Sequence, residues 1–206
     1  LYRKQARFKL ITTGKISQKN LFFEEQHLER LRKASRYFAF PFDSENLKQK
    51  IEEECQACDA NQDYRLRISL SKSGEIKLSR QALIPLSPSF CQSKLCLQEV
   101  NLQQAFTYFK TSHRPHLSLG KQEIIYHNAA GELLETSIGN LVLKIDGKLY
   151  TPPIRLGILP GIYRQHLLER GQVEEKVLTL ADLAQAEAIY GCNAVRGLYE
   201  LRVIGS

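Results

Sequence analysis

The spacing of apolar residues changes along the chain, and this change constrains the fold more than any other feature of the sequence. Residues 24–38 and 44–58 repeat apolar side chains every three or four positions, which predicts two amphipathic helices. Residues 64–70 alternate apolar with polar side chains, which predicts a half-buried strand. Short strand-like runs follow at 123–127, 132–136, 141–145 and 198–204. The sequence therefore predicts an α+β chain, with a mixed first part and a strand-rich second part.

Turn and cap residues set the boundaries in the first part. Phe8–Ile11 reads as a short strand with a turn near Gly14, and Ser44 is expected to cap the second helix. Ser73-Gly74 predicts the turn into a strand that begins near Ile76. Residues 86–100 contain Pro and Ser and are less periodic, so we expect the domain junction there. This divides the chain into residues 1–99 and 100–206.

The second part carries clearer turn chemistry. Asp146-Gly147 predicts a β-hairpin turn. Pro160-Gly161 is expected to open a helix that runs through Arg170 and ends at Gly171. Thr179 and Asp182 have the spacing of a capping box, which predicts a further helix through Tyr190.

Charge and hydropathy argue against two classes of partner. The formal net charge is +7, from 29 Lys and Arg against 22 Asp and Glu, but the basic residues are spread along the chain without a nucleic-acid-binding signature. No apolar run approaches the roughly 20 residues that cross a bilayer. We therefore expect a cytoplasmic protein that binds neither nucleic acid nor membrane.

The five cysteines offer a metal-binding alternative. Cys55 and Cys58 have CxxC spacing, whereas Cys91 and Cys96 are spaced too widely for a standard second pair. Cys55 and Cys58 also share the apolar face of the second predicted helix, and small buried apolar residues explain them better. We expect no metal site, and the odd count favours a reducing compartment.

Three segments contain residues suited to cofactor chemistry. Gly157–Arg164 runs from a Gly-Pro-Gly-rich turn into a helix, whose free N–H groups could hold a phosphate or simply start a helix. Lys110 lies among apolar and hydroxyl residues and could form a Schiff base, or it could be a surface lysine. Glu135 follows two leucines and could meet a protonated ring nitrogen, or it could flank an exposed strand.

Taken together, the order and spacing of seven segments resemble the fold-type IV enzymes that use pyridoxal 5'-phosphate (PLP). The resemblance covers nearly the whole chain. The segments are HLERL at 27–31, FKTSHR at 109–114, GELLET at 131–136, GNL at 139–141, LYTPP at 149–153, GILPGIYR at 157–164 and NAVRG at 193–197. This family has a small N-terminal α/β domain and a strand-rich, pseudo-barrel C-terminal domain.

The resemblance implies roles for individual residues. Lys110 would be the Schiff-base lysine and proton-transfer base, and Glu135 would keep the pyridine nitrogen protonated. Arg30 would hold the phosphate, because the family's arginine follows a histidine by three residues, as here. Further cofactor contacts are implied for Gly161, Ile162, Tyr163 and Asn193. Cationic candidates for the substrate carboxylates are Arg67, Arg114 and Arg196.

Within the family, the segments at 110–114 and 193–197 are more similar to aminodeoxychorismate lyase domains than to aminotransferases. Tyr163 also stands where branched-chain aminotransferases carry Thr. The implied reaction converts 4-amino-4-deoxychorismate into 4-aminobenzoate and pyruvate, in folate biosynthesis. A branched-chain or D-amino-acid aminotransferase is the alternative, and a non-catalytic binding module that kept the fold is another. The family also implies a homodimer, and a chain that works with, or was fused to, aminodeoxychorismate synthase.

Overall fold

The computed structural model describes residues 8–113, 120 and 122–204, which form two compact units. The described parts of the first unit are residues 8–84 and 109–113. Those of the second are residues 85–108, 120 and 122–204. The units thus do not follow chain order, and the division of the chain at 99/100 stays a prediction.

The first unit is an antiparallel sheet with two helices. The strands are β1 (Leu10–Ser17), β2 (Asn20–Leu21), β3 (Tyr64–Leu70) and β4 (Ile76–Ala82), in the order β2-β1-β3-β4. The helices are α1 (Glu24–Phe38) and α2 (Ser44–Gln56). Leu28, Leu31, Leu47 and Ile51 on the helices pack with alternate residues of β1 and β3 in one core. This confirms the two predicted helical patterns and the alternating strand.

Two boundary predictions in this unit are wrong. The expected turn near Gly14 does not exist, because β1 continues through Gly14 to Ser17 and the chain turns at Gln18 and Lys19, both with positive φ. Ser44 does not cap α2. The cap is Asp43, whose side chain accepts a hydrogen bond from the backbone N–H of Asn46, and Ser44 is the first helical residue.

The second unit is built on eight strands with short helices between them. The strands are β5 (Gln92–Leu97), β6 (Ile124–His127), β7 (Leu133–Thr136), β8 (Asn140–Ile145), β9 (Lys148–Thr151), β10 (Glu174–Glu175), β11 (Ala188–Asn193) and β12 (Gly197–Val203). The helices are α3 (Pro88–Cys91), α4 (Ala105–Tyr108), α5 (Ile162–Glu169) and α6 (Leu180–Gln185), with a 3₁₀ turn at Ile154–Leu156.

These strands close on themselves. Their order is β10-β9-β8-β11-β12-β5-β6-β7, and β7 also pairs with β8. Six strands, from β8 through β11, β12, β5 and β6 to β7, therefore form a ring. This confirms the predicted fold class, including the barrel-like second part.

Turn chemistry explains most of the second unit. Asp146 and Gly147 both have positive φ in the β8–β9 hairpin, and Thr179 and Asp182 form the predicted capping box of α6. The predicted helix through Tyr190 is wrong, because α6 ends at Gln185 and β11 begins at Ala188. The less periodic segment at 86–100, where a junction was predicted, contains α3 and the ring strand β5. Short runs of mixed residues there hid a strand that pairs with distant parts of the chain.

Two of the sequence predictions concern membranes and cysteines. Within residues 8–113, 120 and 122–204, no helix combines the length and apolar content needed to span a bilayer. Cys55 and Cys58 are buried in the core of the first unit beside Leu47 and Ile51, which confirms that they pack as small apolar residues.

Candidate cofactor and substrate site

Lys110 lies in a short segment that extends the sheet of the first unit. The backbone N–H of Ile11 donates to Lys110 O at 2.9 Å, and the N–H of Ser112 donates to Lys9 O at 2.8 Å. Leu10 and Thr111 stand directly opposite each other in an antiparallel bridge. The lysine segment therefore pairs with the first half of β1, beyond the part of that edge which β2 covers.

This register fixes the face on which Lys110 lies. Thr111 is opposite Leu10, which belongs to the core under the helices, so Lys110 and its partner Ile11 lie on the other face. Thr13 lies on the same face as Ile11 by alternation, and Arg67 on β3 is directly opposite Thr13. Lys110 and Arg67 thus share one face of the sheet. Two strand spacings and two residues separate their Cα atoms by about 12 Å.

Arg67 is a half-buried guanidinium in cationic surroundings. Burial lowers its pKa, and neighbouring Arg65 lowers the pKa further. Among the described residues, no carboxylate forms an ion pair with Arg67. A partly desolvated cation beside another cation favours an anionic ligand.

Arg30 and Lys110 act on the same buried histidine. His27 on α1 is 1% exposed, and its Nδ1 lies 2.6 Å from the Thr12 hydroxyl. Burial, then the charge of Arg30, then that of Lys110 lower the pKa of His27 to about 3. The imidazole is therefore neutral at pH 7. The first unit brings Arg30 and Lys110 into the electrostatic range of a single side chain.

In the second unit, Glu135 is buried at the end of β7 next to the segment that precedes α5. Glu135 is 3% exposed, and its Oε2 accepts a hydrogen bond from Leu159 N at 3.3 Å. Asn140 is paired with Glu135 across β7 and β8, and its Nδ2 donates to Leu159 O at 2.8 Å. The two side chains together hold both polar groups of residue 159.

Helix α5 begins three residues further on, at Ile162. Gly161 is its N-cap with no side-chain cap, and the first turn of α5 carries no acidic residue. A Cβ on Gly161 would collide with Asn140 Oδ1, so only glycine fits this approach. Three residues span at most about 11 Å, so the helix start lies within that distance of Leu159, whose N–H contacts the buried carboxylate. A buried acceptor and an uncapped helix N-terminus are the groups that a pyridinium nitrogen and a phosphate require. These residues fit PLP.

Arg164 fixes the direction of α5, a role that the sequence reasoning missed. It is 1% exposed, and its Nη2 donates to Pro152 O at 2.8 Å and pairs with Glu175. The signal was present in the segment GILPGIYR, where a basic residue sits one turn inside a buried helix start. Asn140 and Glu123 were also missed, because nothing in their local composition distinguishes them from surface residues.

Of the remaining predicted residues, those that the structure describes lie in the second unit. The Asn193 side chain shapes a turn: its Oδ1 accepts from Val195 N and Arg196 N, both at 2.9 Å. The Tyr163 hydroxyl lies close to Gly197, at the end of the same turn. Arg114 lies outside the described residues. The structure thus groups Lys110, Arg30 and Arg67 in the first unit, and Glu135, Gly161, Ile162, Tyr163, Asn193 and Arg196 in the second.

Comparison with known proteins gives the family. Residues 9–204 match the family model for amino-transferase class IV. The chain belongs to this family. Its members depend on PLP, which agrees with the donor set around Glu135 and α5.

Curated relatives include lyases at low identity. A Schizosaccharomyces pombe protein, provisionally named aminodeoxychorismate lyase, is 24% identical over 193 residues, covering 85% of this chain and 81% of the relative. The aminodeoxychorismate lyase of Vibrio harveyi is 28% identical over 120 residues, covering 52% of this chain and 44% of the relative.

Solved structures share the fold. A Mesorhizobium loti protein, provisionally named an amino-acid aminotransferase, has a TM-score of 0.84 and 27% identity, covering 96% of this chain and all of its own. A Mycobacterium tuberculosis protein called a hypothetical aminotransferase, solved in a PLP-bound form, has a TM-score of 0.80 and 19% identity, covering 95% of this chain and 80% of its own. These relatives agree on an enzyme family and differ in the named reaction.

Proposed function

We propose that this enzyme is a 4-amino-4-deoxychorismate lyase, which eliminates pyruvate from its substrate to give 4-aminobenzoate. The observation that carries the proposal is the position of Arg67 on the face of the sheet that also carries Lys110. The substrate ring carries an amine and, at the opposite end, a carboxylate, while a second carboxylate belongs to the enolpyruvyl group on the carbon next to the amine-bearing one. Lys110 and half-buried Arg67, which forms no ion pair among the described residues, lie about 12 Å apart and suit the amine and the ring carboxylate of such a molecule.

We assign the cofactor residues by the family resemblance, and the contacts within each unit support this assignment. Arg30 and the N–H groups of Ile162 and Tyr163 would hold the phosphate, with Gly161 allowing its close approach. Glu135 would accept a hydrogen bond from the protonated ring nitrogen. Asn193 would support this site by shaping the 193–196 turn. The chemistry that PLP supplies when bound is a ring able to accept the electrons released at the amine-bearing carbon.

Lys110 has the two remaining tasks. Its amine would hold the cofactor covalently between turnovers and, once displaced, would remove the proton from the amine-bearing carbon of the substrate. The carbon–oxygen bond to the enolpyruvyl group then breaks, the ring becomes aromatic, and the enolpyruvyl group leaves as pyruvate after taking up a proton. Arg67 would bind a substrate carboxylate throughout, with Arg114 and Arg196 as further candidates.

The family resemblance also implies an assembly, a location and a pathway. We propose that the enzyme works as a homodimer in the cytoplasm on a small-molecule substrate, and in folate biosynthesis alongside an aminodeoxychorismate synthase. Analytical ultracentrifugation of the purified protein tests the dimer, and a monomer over the whole micromolar range would contradict it.

The reaction is tested with enzymatically made 4-amino-4-deoxychorismate. We expect 4-aminobenzoate and pyruvate in equal amounts. Arg67→Gln should raise KM about 10- to 100-fold with a smaller change in kcat, because a charge-assisted contact to the carboxylate is lost. Arg65→Gln is the matched control, because Arg65 lies on the same face of β3 as Arg67 but donates a hydrogen bond to Gln81 Oε1. Absence of either product from the wild-type protein would refute the lyase.

An amino-acid aminotransferase is the second candidate, favoured by the similarity to the Mesorhizobium loti structure. That activity would convert a branched-chain or D-amino acid into its oxo acid in an amount equal to the bound cofactor, with no second substrate present. A lyase would leave the amino acid unchanged. The two functions are therefore separated by one incubation with the amino donor alone, followed by detection of the oxo acid.

A further inference from the structure

A second buried carboxylate, Glu123, lies in the second unit and has no part in the proposed chemistry. It is 0% exposed and precedes β6, where its backbone N–H donates to Phe90 O at 2.9 Å. Burial raises its pKa, and the hydrogen bonds that it accepts partly offset the rise. A fully buried carboxylate is costly unless its oxygens are satisfied, so its donors indicate what it holds in place.

The donors to Glu123 come from the turn between β7 and β8. Ser137 Oγ donates to Glu123 Oε1 at 2.6 Å, and Ile138 N donates to the same oxygen at 3.0 Å. Tyr199 on β12 donates its hydroxyl to Oε2 at 3.4 Å. The turn thus closes around one carboxylate oxygen, while a tyrosine from another strand contacts the second.

This turn joins Glu135, which is assigned to the cofactor, to Asn140, which holds Leu159. Glu135 is the second-last residue of β7 before the turn, and Asn140 begins β8 immediately after it. The turn is also tight: a Cβ on Gly139 would come within 2.6 Å of Cys192 O and 2.9 Å of the Tyr199 hydroxyl. A displacement of Ser137 or Ile138 therefore moves the anchors of both Glu135 and Asn140.

The hydrogen bonds continue from the same turn to the 193–196 turn. Asn193 Nδ2 donates to Ile138 O at 3.3 Å, and Asn193 Oδ1 accepts from Val195 N and Arg196 N. Ile138 is consequently held by Glu123 through its N–H and holds Asn193 through its carbonyl. One residue, Ile138, links the buried carboxylate to the second turn.

We propose that Glu123 is a positioning residue that sets the two turns, 137–139 and 193–196, which support the cofactor. It touches neither the cofactor nor the substrate in this role, and it acts through Ile138 and Asn193. The inference rests on the proposed cofactor site, although the coupling between the two turns is a property of the protein alone.

The test compares two substitutions of similar size. Glu123→Gln keeps an acceptor oxygen for Ser137 and Ile138, and its amide can donate to the Tyr199 hydroxyl, so the turns should stay in place. Glu123→Leu fills the space but leaves the three donors without an acceptor. We expect PLP to bind the Leu variant at least about tenfold more weakly, and the Gln variant within about twofold of wild type. Equal affinity of the Leu variant and wild type would overturn the proposal.

Hydrogen exchange gives a readout that is independent of catalysis. In the cofactor-free Leu variant, the amides of Ile138, Val195 and Arg196 should exchange about tenfold faster or more, whereas amides of β3 in the first unit should not change. Ser137→Ala, which removes a single donor and should fold, should give the same pattern with a smaller increase.

If the Ile138 amide alone responds in both variants, the coupling to the 193–196 turn does not exist. If the coupling appears but no variant binds PLP differently, the assignment of the turns to the cofactor fails instead.

Discussion

The first unit buries a base, His27, beside its proposed cofactor residues, and the second unit buries an acid, Glu123, beside its own. Burial favours the uncharged form of both, lowering the pKa of His27 and raising that of Glu123. Their packing differs, however. His27 lies against Gly14 and contacts Thr12, whereas Glu123 accepts three hydrogen bonds.

This difference teaches how each unit holds its functional residues. Arg67 stands on a regular strand and Lys110 in a segment that pairs with β1, so backbone register places both, and Arg30 stands on a helix of 15 residues. Glu135 and Asn193 stand near strand ends, beside turns that side-chain hydrogen bonds help to order. We therefore expect the first unit to respond to substitutions through packing, and the second through the loss of individual polar contacts.

The largest expected effects come from substitution of Lys110 in the first unit and of Glu135 in the second. Lys110→Ala should remove the covalent link to the cofactor and lower kcat more than about 10³-fold, since both the amine and the base are lost. Glu135→Gln should keep the covalent link, so that borohydride still fixes the cofactor to the chain. Its kcat should fall about 100-fold. Lys144→Ala, a lysine of β8 paired with Glu187, is the control and should behave as wild type. A reducible link in Lys110→Ala would contradict the assignment.

The next effect concerns His27 and pH. Its folded pKa is about 3 against 6.5 for a free imidazole, so the unfolded state binds the proton first as the pH falls. The neutral His27 therefore contributes stability that is fully present above pH 6.5 and is lost towards pH 3. At pH 4 the free energy of unfolding should be lower by roughly 3 kcal/mol. Relative to wild type, His27→Leu should therefore gain stability between pH 7 and pH 4 in urea unfolding. Equal pH profiles for His27→Leu and wild type would disprove the assignment.

Two glycines test packing against polar contact. A Cβ on Gly14 would lie 2.5 Å from His27 Nε2, and one on Gly161 would collide with Asn140 Oδ1. Gly14→Ala and Gly161→Ala should each cost about 1–3 kcal/mol in the free energy of unfolding. Gly120→Ala, where among the described residues the new Cβ meets the Gln122 backbone at 3.7 Å, should cost less than about 0.5 kcal/mol.

Double substitutions test whether removal of the clashing side chain restores the stability lost at each glycine. His27→Ala should relieve part of the cost of Gly14→Ala, because the shortest contact is with the ring and the remaining one, with Leu21 Cδ1 at 2.8 Å, is with the end of a side chain. Asn140→Ala should not relieve Gly161→Ala in the same way, because it also removes the hydrogen bond to Leu159. Full relief in both units would show that the second unit, like the first, is held by packing.

The same distinction explains what could be predicted from sequence. Helix α1 and strand β3 follow from periodicity because their faces are regular, and the hairpin at Asp146-Gly147 follows from local turn chemistry. Strand β11 was read as helix because residues 186–190 carry no alternation, and pairing with β8 and β12 overrides local propensity. Strand β5 was missed for a related reason, since its partners β6 and β12 lie far along the chain.

The candidate site divides in a similar way. Lys110, Glu135 and Arg30 were predicted through family resemblance, and their roles stay predictions. Register then adds what spacing could not provide, namely that Lys110 and Arg67 share one face. Glu123 and Asn140 were beyond sequence reasoning, because a carboxylate or an amide is recognised as a support only when its hydrogen-bond partners are known.

The smallest expected effect has the opposite sign to that of His27. Because the folded pKa of Glu123 is raised above 4.5, the folded state keeps its proton longer as the pH rises, and stability falls from pH 4.5 towards the raised value. Glu123→Gln cannot ionise, so relative to wild type it should gain stability from pH 4.5 to pH 7. The gain should be smaller than the His27 effect because three donors offset the cost of burial. Glu187→Gln should instead lose relative stability as the pH rises towards 4.5, since Lys144 lowers the pKa of Glu187. If Glu123→Gln and Glu187→Gln change in the same direction, the carboxylate of Glu123 is stabilised by its hydrogen bonds more than burial destabilises it, and the contrast between the two buried groups is lost.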